Sequence, residues 1–422
     1  MSIGGHCGHN PRTMILLLLP TTSYKATDFL EAARRLGVAV VVGTDRRQAL
    51  EDEAPGTTLA LDFNDAARAK RLVGALPDAG NLRAVLGVDD ETTVVAAELA
   101  AVLGLPHNRV EAVRRTRDKY ALRVALERRG LRGPAFFRRV ARDESVEIVA
   151  REVAYPCVLK PLSLSASRGV LRADDPAGFV AAFRRIESIL DAPDVRKRGG
   201  DREHVLVEAY LDGDEVAVEG LLENGSLRPL AIFDKPDPLR GPTFEETIYV
   251  TPSRHDAALQ REILAEVGRA TAAVGLTHGP LHAELRLTAD GPCLLEIAPR
   301  TIGGLCARTL RFGTGISLEE LVLRHALGLE INAERESAAA GVMMLPVPQA
   351  GILRKVRGLP AARAVDGVVE ITISLHAGSE LIPLPEGNRY LGFIFAAGGD
   401  PAIVEAALRA AHAKLAFEID PA

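Results

Sequence analysis

LHAELRLTADGPCLLEIAPR, residues 281–300, is the stretch on which the reading of this chain turns. Ala289-Asp290-Gly291 reads as a three-residue hairpin loop, with Gly291 at the position that needs positive φ. That loop makes Leu287 the partner of Cys293, Leu285 of Leu295 and Ala283 of Ile297. One face is then entirely apolar, as a half-buried sheet requires. On the other face Glu284 falls opposite Glu296. A slip of one residue would set Glu296 against the core residue Leu285, so the apolar pattern selects the register that pairs the acids.

Like charges directly opposed across a sheet, with Cβ atoms about 4.5–5.5 Å apart, are destabilising. Nearby Arg286, a raised pKa on one acid, or a divalent cation would offset the repulsion. Hard oxygen ligands on a rigid scaffold suit Mg²⁺, especially where a nucleotide phosphate supplies further ligands. The alternative is two solvated glutamates on an exposed sheet face.

Upstream, the chain alternates strand and helix. Met14–Leu19, Val38–Thr44 and Ala84–Val88 read as strands, and Lys25–Leu36, Asp65–Leu76 and Thr92–Leu103 as helices. This alternation predicts an α/β domain with a doubly wound parallel sheet over residues 14–106. Ligands in such sheets sit at the carboxyl ends of strands, which points to Thr21–Ser23 and Asp89–Glu91, residues that serve equally well as turns and caps. No GxGxxG motif is present, so dinucleotide binding has no support. Residues 107–337 change to α+β character. Asn224-Gly225 marks a hairpin between Glu215–Leu222 and Leu227–Asp234, and Asp175-Pro176 opens a helix. Residues 338–422 read as a small α+β subdomain closed by a helix over Pro401–Leu415.

The 422 residues are 47% hydrophobic and 25% charged, enough for two or three soluble domains. A net charge of −5 and the absence of Trp remove the electrostatic and stacking case for nucleic acid. The four cysteines form no CxxC pair, so no zinc site or disulfide framework is expected, and a reducing cytoplasm fits. The longest early apolar run, Met14–Leu19, is far too short for a membrane span and makes a poor signal peptide. Residues 1–13 contain His6, Cys7 and His9 and are expected to be a disordered leader rather than a metal site.

EIAPRTIGG, Glu296 to Gly304, resembles the metal and substrate segment of ATP-grasp enzymes. The order of the other motifs is most similar to the L-amino acid ligase branch of carboxylate–amine ligases, from Met14 through RYLGFIFA, Arg389 to Ala396. The resemblance implies an ATP-grasp architecture. It implies that Lys119 in TRDKYALR and Lys160 in YPCVLKP meet the nucleotide phosphates, where two ammonium groups would neutralise developing charge. LSLSASRGV, residues 162–170, resembles the flexible phosphate-covering loop, with Ser165, Ser167 and Gly169 as its contacts. VLVEAYLDGDEV, residues 205–216, resembles the adenine hinge. There Glu208 and the backbone of Ala209 and Leu211 would meet adenine, and Glu215 the ribose hydroxyls.

By the same resemblance Glu284 and Glu296 are the ligands of Mg²⁺ or Mn²⁺. Arg300 would bind the substrate carboxylate and acyl phosphate, for which a guanidinium fork is well shaped. Gly303 and Gly304 would bring backbone N–H groups to the same intermediate. Glu246 in PTFEETIYVTPS would meet a substrate amino group, although Glu245 is adjacent. His282 shares the face of Glu284 and either supports it or merely packs. One departure stands out: many ATP-grasp enzymes carry Asn where this chain has Ala298.

The implied activity is amide or peptide bond formation between small carboxylate and amine substrates, with ATP activating the carboxylate. Members of the resembled family are commonly homodimers. The same parts serve biotin-dependent and nucleotide-biosynthetic carboxylases, and Ala298 would also suit a non-catalytic nucleotide binder.

Overall fold

Residues 13–46 and 57–421 are described by the structure, a computed structural model. The leader expected at residues 1–13 lies, but for Thr13, outside the described residues. The expected parallel sheet has the strand order Thr58–Ala60, Ala39–Thr44, Met14–Leu18, Leu82–Gly87, and its neighbours pair in parallel. Met14–Leu18 is inside this sheet with both faces covered, which is why five consecutive apolar residues are all buried there. The helix Ala26–Leu36 stops at Gly37, which adopts a left-handed conformation. The short edge strand Thr58–Ala60 was not expected, because three residues carry no readable alternation.

A second, antiparallel sheet joins Phe137–Ala141, His204–Ala209, Cys157–Pro161 and Leu171–Ala173 in that order. The helix Pro176–Leu190 covers it, capped by Asp175, whose carboxylate accepts the Gly178 N–H. Phe179, Phe183 and Ile186 recur on one helical face and are fully buried against the sheet.

The largest sheet has eight antiparallel strands, running Gly291–Ala298, Gly279–Thr288, Asp214–Glu223, Ser226–Lys235, Ile248–Thr251, Ala339–Leu345, Gly392–Gly398 and Val368–Ile373. The boundary expected at residues 337/338 therefore falls between strands that share one sheet. The Asn224-Gly225 hairpin forms as read, with both residues at positive φ. After the helix Pro401–His412 the chain continues into a further strand, Ala416–Pro421, beside Gly351–Arg357.

The 281–300 hairpin keeps the expected face and changes its turn. Ala283 pairs with Ile297 and Glu284 with Glu296, as read. The register then shifts, so that Leu285 pairs with Leu294 and Thr288 with Gly291. The loop is the two residues Ala289 and Asp290, not three, and the residue freed at the turn reappears as a bulge at Leu295. The bulge has a packing cause. Leu294 joins Leu285 in the core, while Leu295 turns with Glu296 toward the cleft. Gly291 still has φ of 111°.

Where the N-terminal domain meets the large sheet, His278 and His325 lie ring to ring at 4.7 Å beside a small cavity also lined by His107. Burial and the neighbouring His325 and His107 depress His278 to about 4. The unfolded side chain takes its proton near 6.5, so the contribution of His278 is complete above that pH and is lost as pH falls toward 4. Denaturant midpoints measured from pH 7 to pH 4.5 should fall less in His278→Asn than in the wild type.

Candidate active site

A cleft of about 1070 Å³ opens where the three sheets converge. The parallel sheet contributes the segments after two of its strands, Pro20–Tyr24 and Asp89–Glu91, at the carboxyl ends where α/β sheets place ligands. The small sheet contributes Lys160 and Glu208, and the large sheet Glu284 and Glu296. Ser165, Ser167, Ala209, Leu211, Glu215, Glu246, Arg300, Gly303, Gly304 and Lys119 also line it. Gly169 does not. Its N–H donates to the Pro385 carbonyl at 3.0 Å, which fastens the 162–170 loop to the C-terminal segment.

The two lysines lie close enough to repel one another and are held by different acids. Lys160 is buried and ion-paired with Glu208, which also accepts from Arg123 Nε at 2.8 Å and Nη2 at 3.2 Å. Burial pulls the Lys160 ammonium below its ordinary value, against the attraction of Glu208. The Glu208 carboxylate lines the cleft and is shared by two cations, so it anchors the lysine there. Lys119 donates to the Leu164 carbonyl at 2.6 Å and lies 3.6 Å from Glu296.

Glu284 and Glu296 face each other on the cleft side but have different partners. Glu284 takes part in a buried chain: Glu219 holds His282 Nδ1, and His282 Nε2 meets Glu284 Oε1 at 3.2 Å. Burial opposes the imidazolium, yet Glu219 and Glu284 raise His282 to about 9. Burial would raise Glu284, but Lys235 and His282 hold it well below the usual carboxylate range. His282 therefore fixes the orientation of Glu284 rather than simply filling space.

Lys235, which the sequence reading missed, lies among Glu215, Glu246 and Glu284. These three acids offer oxygens within 4.8 Å of one another. Burial disfavours the Lys235 charge, but its three carboxylates raise it well above its ordinary value. Glu215 is further bound by Arg286 at 2.9 Å, so the ribose contact expected of it meets a carboxylate already shared by two cations. Burial and Glu284 push Glu246 up to about 7, against the pull of Lys235. The Asn224-Gly225 hairpin held a signal for Lys235, since a two-residue turn sets it within one place of Glu215. A bulge near Leu230 completes the pairing.

Arg300 is buried and forked onto Asp90, with Nε at 3.1 Å and Nη2 at 2.9 Å, and Nη1 donates to the Thr301 carbonyl. Lys25, also missed, donates to the Val88 and Thr301 carbonyls and braces this corner from the first helix. A Cβ at Gly303 would meet nothing within 4 Å, whereas at Gly304, φ 58°, it would strike the Phe393 ring. Ala298 is buried opposite His282 and supplies no donor to the cleft.

Comparison with known proteins bears on the fold and the family. Family models match as the ATP-grasp N-terminal domain over residues 30–107, the ATP-grasp domain over 153–309 and L-amino acid ligase C-terminal domain 2 over 343–420. The crystal structure of an L-amino acid ligase from Bacillus licheniformis is similar with a TM-score of 0.83 and 26% identity, covering 97% of this chain and 99% of that one. The alanine–anticapsin ligase of Bacillus amyloliquefaciens is 29% identical over 234 residues, 52% of this chain and 49% of that protein. The uncharacterized protein y4rH of Sinorhizobium fredii is 24% identical over 96% of this chain and 83% of its own length. Fold, cleft and matched domains agree that this chain belongs to the ATP-grasp superfamily, with a C-terminal domain of the L-amino acid ligase type.

Proposed function

We propose that this protein is an ATP-dependent carbon–nitrogen ligase, joining the carboxylate of one amino-acid-like substrate to the amine of another. The observation that carries this reading is the convergence in one cleft of opposed Glu284 and Glu296, forked Arg300, and Lys119 and Lys160. Proteins similar to it are named alanine–anticapsin ligase and L-amino acid ligase, which supports the same reaction type.

The donor set fits a hard divalent cation. Glu284 and Glu296 supply carboxylate oxygens, and a buried imidazolium fixes one of them as metal sites commonly require. Glu284 and Glu296 would hold Mg²⁺, which would neutralise phosphate charge when bound. Lys235 pairs with Glu215 and Glu246 and also reaches Glu284 at 3.2 Å.

A carboxylate is a poor electrophile at neutral pH, and ATP supplies the phosphoryl group that activates it. Lys119 and Lys160 neutralise charge as that group transfers, and Arg300 orients the carboxylate with its remaining N–H groups. The 162–170 loop, fastened at Pro385, keeps water from the acyl phosphate. The amine then attacks the acyl carbon and phosphate leaves. Glu246 lines the cleft as a carboxylate placed to meet the substrate amino group.

Phosphate release measured over pairs of amino acids, with mass analysis of the product, tests this reading. A ligase releases phosphate only with both substrates and yields an adduct lighter by one water than their sum. A carboxylase would require bicarbonate, and a nucleotide binder would release nothing. Within this assay, His282→Asn should raise the Mg²⁺ concentration for half-maximal rate about 10–100-fold. Glu296→Gln should do so at least as strongly. An unchanged Mg²⁺ dependence in both variants rejects the metal assignment.

A further inference from the structure

The lysines and arginines that line the cleft are, with one exception, neutralised by carboxylates. Lys119, Lys160, Arg286 and Arg300 pair as described above, and three further lining arginines are paired too. Arg389 lines the same cleft, and among the described residues no carboxylate lies within 4.0 Å of its guanidinium. Glu380 lies on the same rim and makes no ion pair with it.

Arg389 is exposed, between chain neighbours that are fixed. Leu391 N–H donates to the Leu345 carbonyl as the strand Gly392–Gly398 begins, and Glu386 is forked by Arg185. The next residue, Tyr390, packs its ring 6.1 Å from that of Phe393. Phe393 in turn packs 5.4 Å from Tyr24 and against Gly304. Arg389 thus lines the same cleft as Arg300 and Gly304, next to a residue packed toward that corner.

The chemistry of amide formation leaves one anion unaccounted for. The carboxylate that is activated loses its charge to the phosphoryl group and then becomes the amide. An amine substrate that is itself an amino acid brings a second carboxylate, which survives in the product. Arg300 is assigned to the carboxylate that is activated, so the retained one requires a second cation, and a guanidinium binds carboxylate through two parallel hydrogen bonds.

We propose that Arg389 binds the retained carboxylate of the amine-bearing substrate and so selects amino acids over simple amines as acceptors. This rests on the ligase reading above. The test uses the donor amino acid found in the phosphate-release screen. It compares three acceptors: L-alanine, L-alaninamide, which lacks the carboxylate, and hydroxylamine, which is read as hydroxamate. In Arg389→Gln the KM for L-alanine should rise about 10–100-fold, the loss expected for a charge-assisted pair. Rates with L-alaninamide and hydroxylamine, and the KM for ATP, should stay within about twofold, and Arg389→Lys should recover part of the loss. An equal loss with all three acceptors, no loss with any, or a rise confined to the KM for ATP overturns the proposal. The last of these would assign Arg389 to nucleotide phosphate. A wild-type protein that forms neither hydroxamate nor peptide would sink the ligase reading itself, and this assignment with it.

Discussion

Arg300→Lys is expected to lower the maximal rate of phosphate release about 10²- to 10³-fold in protein that folds normally. A guanidinium carries five N–H donors, and three of those of Arg300 are used on Asp90 and Thr301. Two remain, one on each terminal nitrogen, to fork a substrate carboxylate while Asp90 grips the other edge. Lysine keeps the charge that Asp90 needs but cannot bond in both directions from a planar group. Burial would disfavour the Arg300 charge, yet Asp90 raises its pKa, so the loss should not depend on pH across the neutral range. Steady-state kinetics with a folding check by circular dichroism decides the matter. A drop smaller than about fivefold would remove Arg300 from the chemistry.

The second large effect concerns stability. Glu208→Gln should destabilise the folded protein by about 3–5 kcal/mol, because it strips the charge that compensates two buried cations, Arg123 and Lys160. Burial works against ionised Glu208, but Arg123 and Lys160 lower it to about 2. Its contribution is therefore complete above the unfolded value near 4.5 and is lost as pH falls through about 2. Urea unfolding at pH 7 and at pH 3 should show the gap between wild type and variant narrowing at the lower pH. A variant within about 0.5 kcal/mol of wild type at pH 7 would mean that water or rearrangement replaces the carboxylate. Lys160 loses its anchor as well, so weaker ATP binding should accompany the loss.

The site was partly legible in the residues. The acidic pair could be read because strand alternation has period two, and any other register would bury Glu296 or expose leucine. The buried strand that ends at Lys160 was legible through its apolar run, whereas the glycines after Arg300 entered only through the family resemblance. The partners of those groups were not. Asp90 meets Arg300 across 210 residues of chain, and Lys25 meets Thr301 across 276. No local pattern encodes such encounters, and so the commitments of Glu208 and Glu215 to buried cations went unforeseen.

By itself the sequence determined the parallel N-terminal sheet, the hairpin face that opposes Glu284 and Glu296, and the Asn224-Gly225 turn. All three follow from periodicity and local backbone preference, which act over a few residues. The tertiary structure alone decided the bulge at Leu295, the ammonium among three glutamates and, among the described residues, the one arginine on the cleft without a carboxylate partner. These depend on which core each side chain can fill and which charges meet when distant segments pack, and that is settled only when the whole chain has folded.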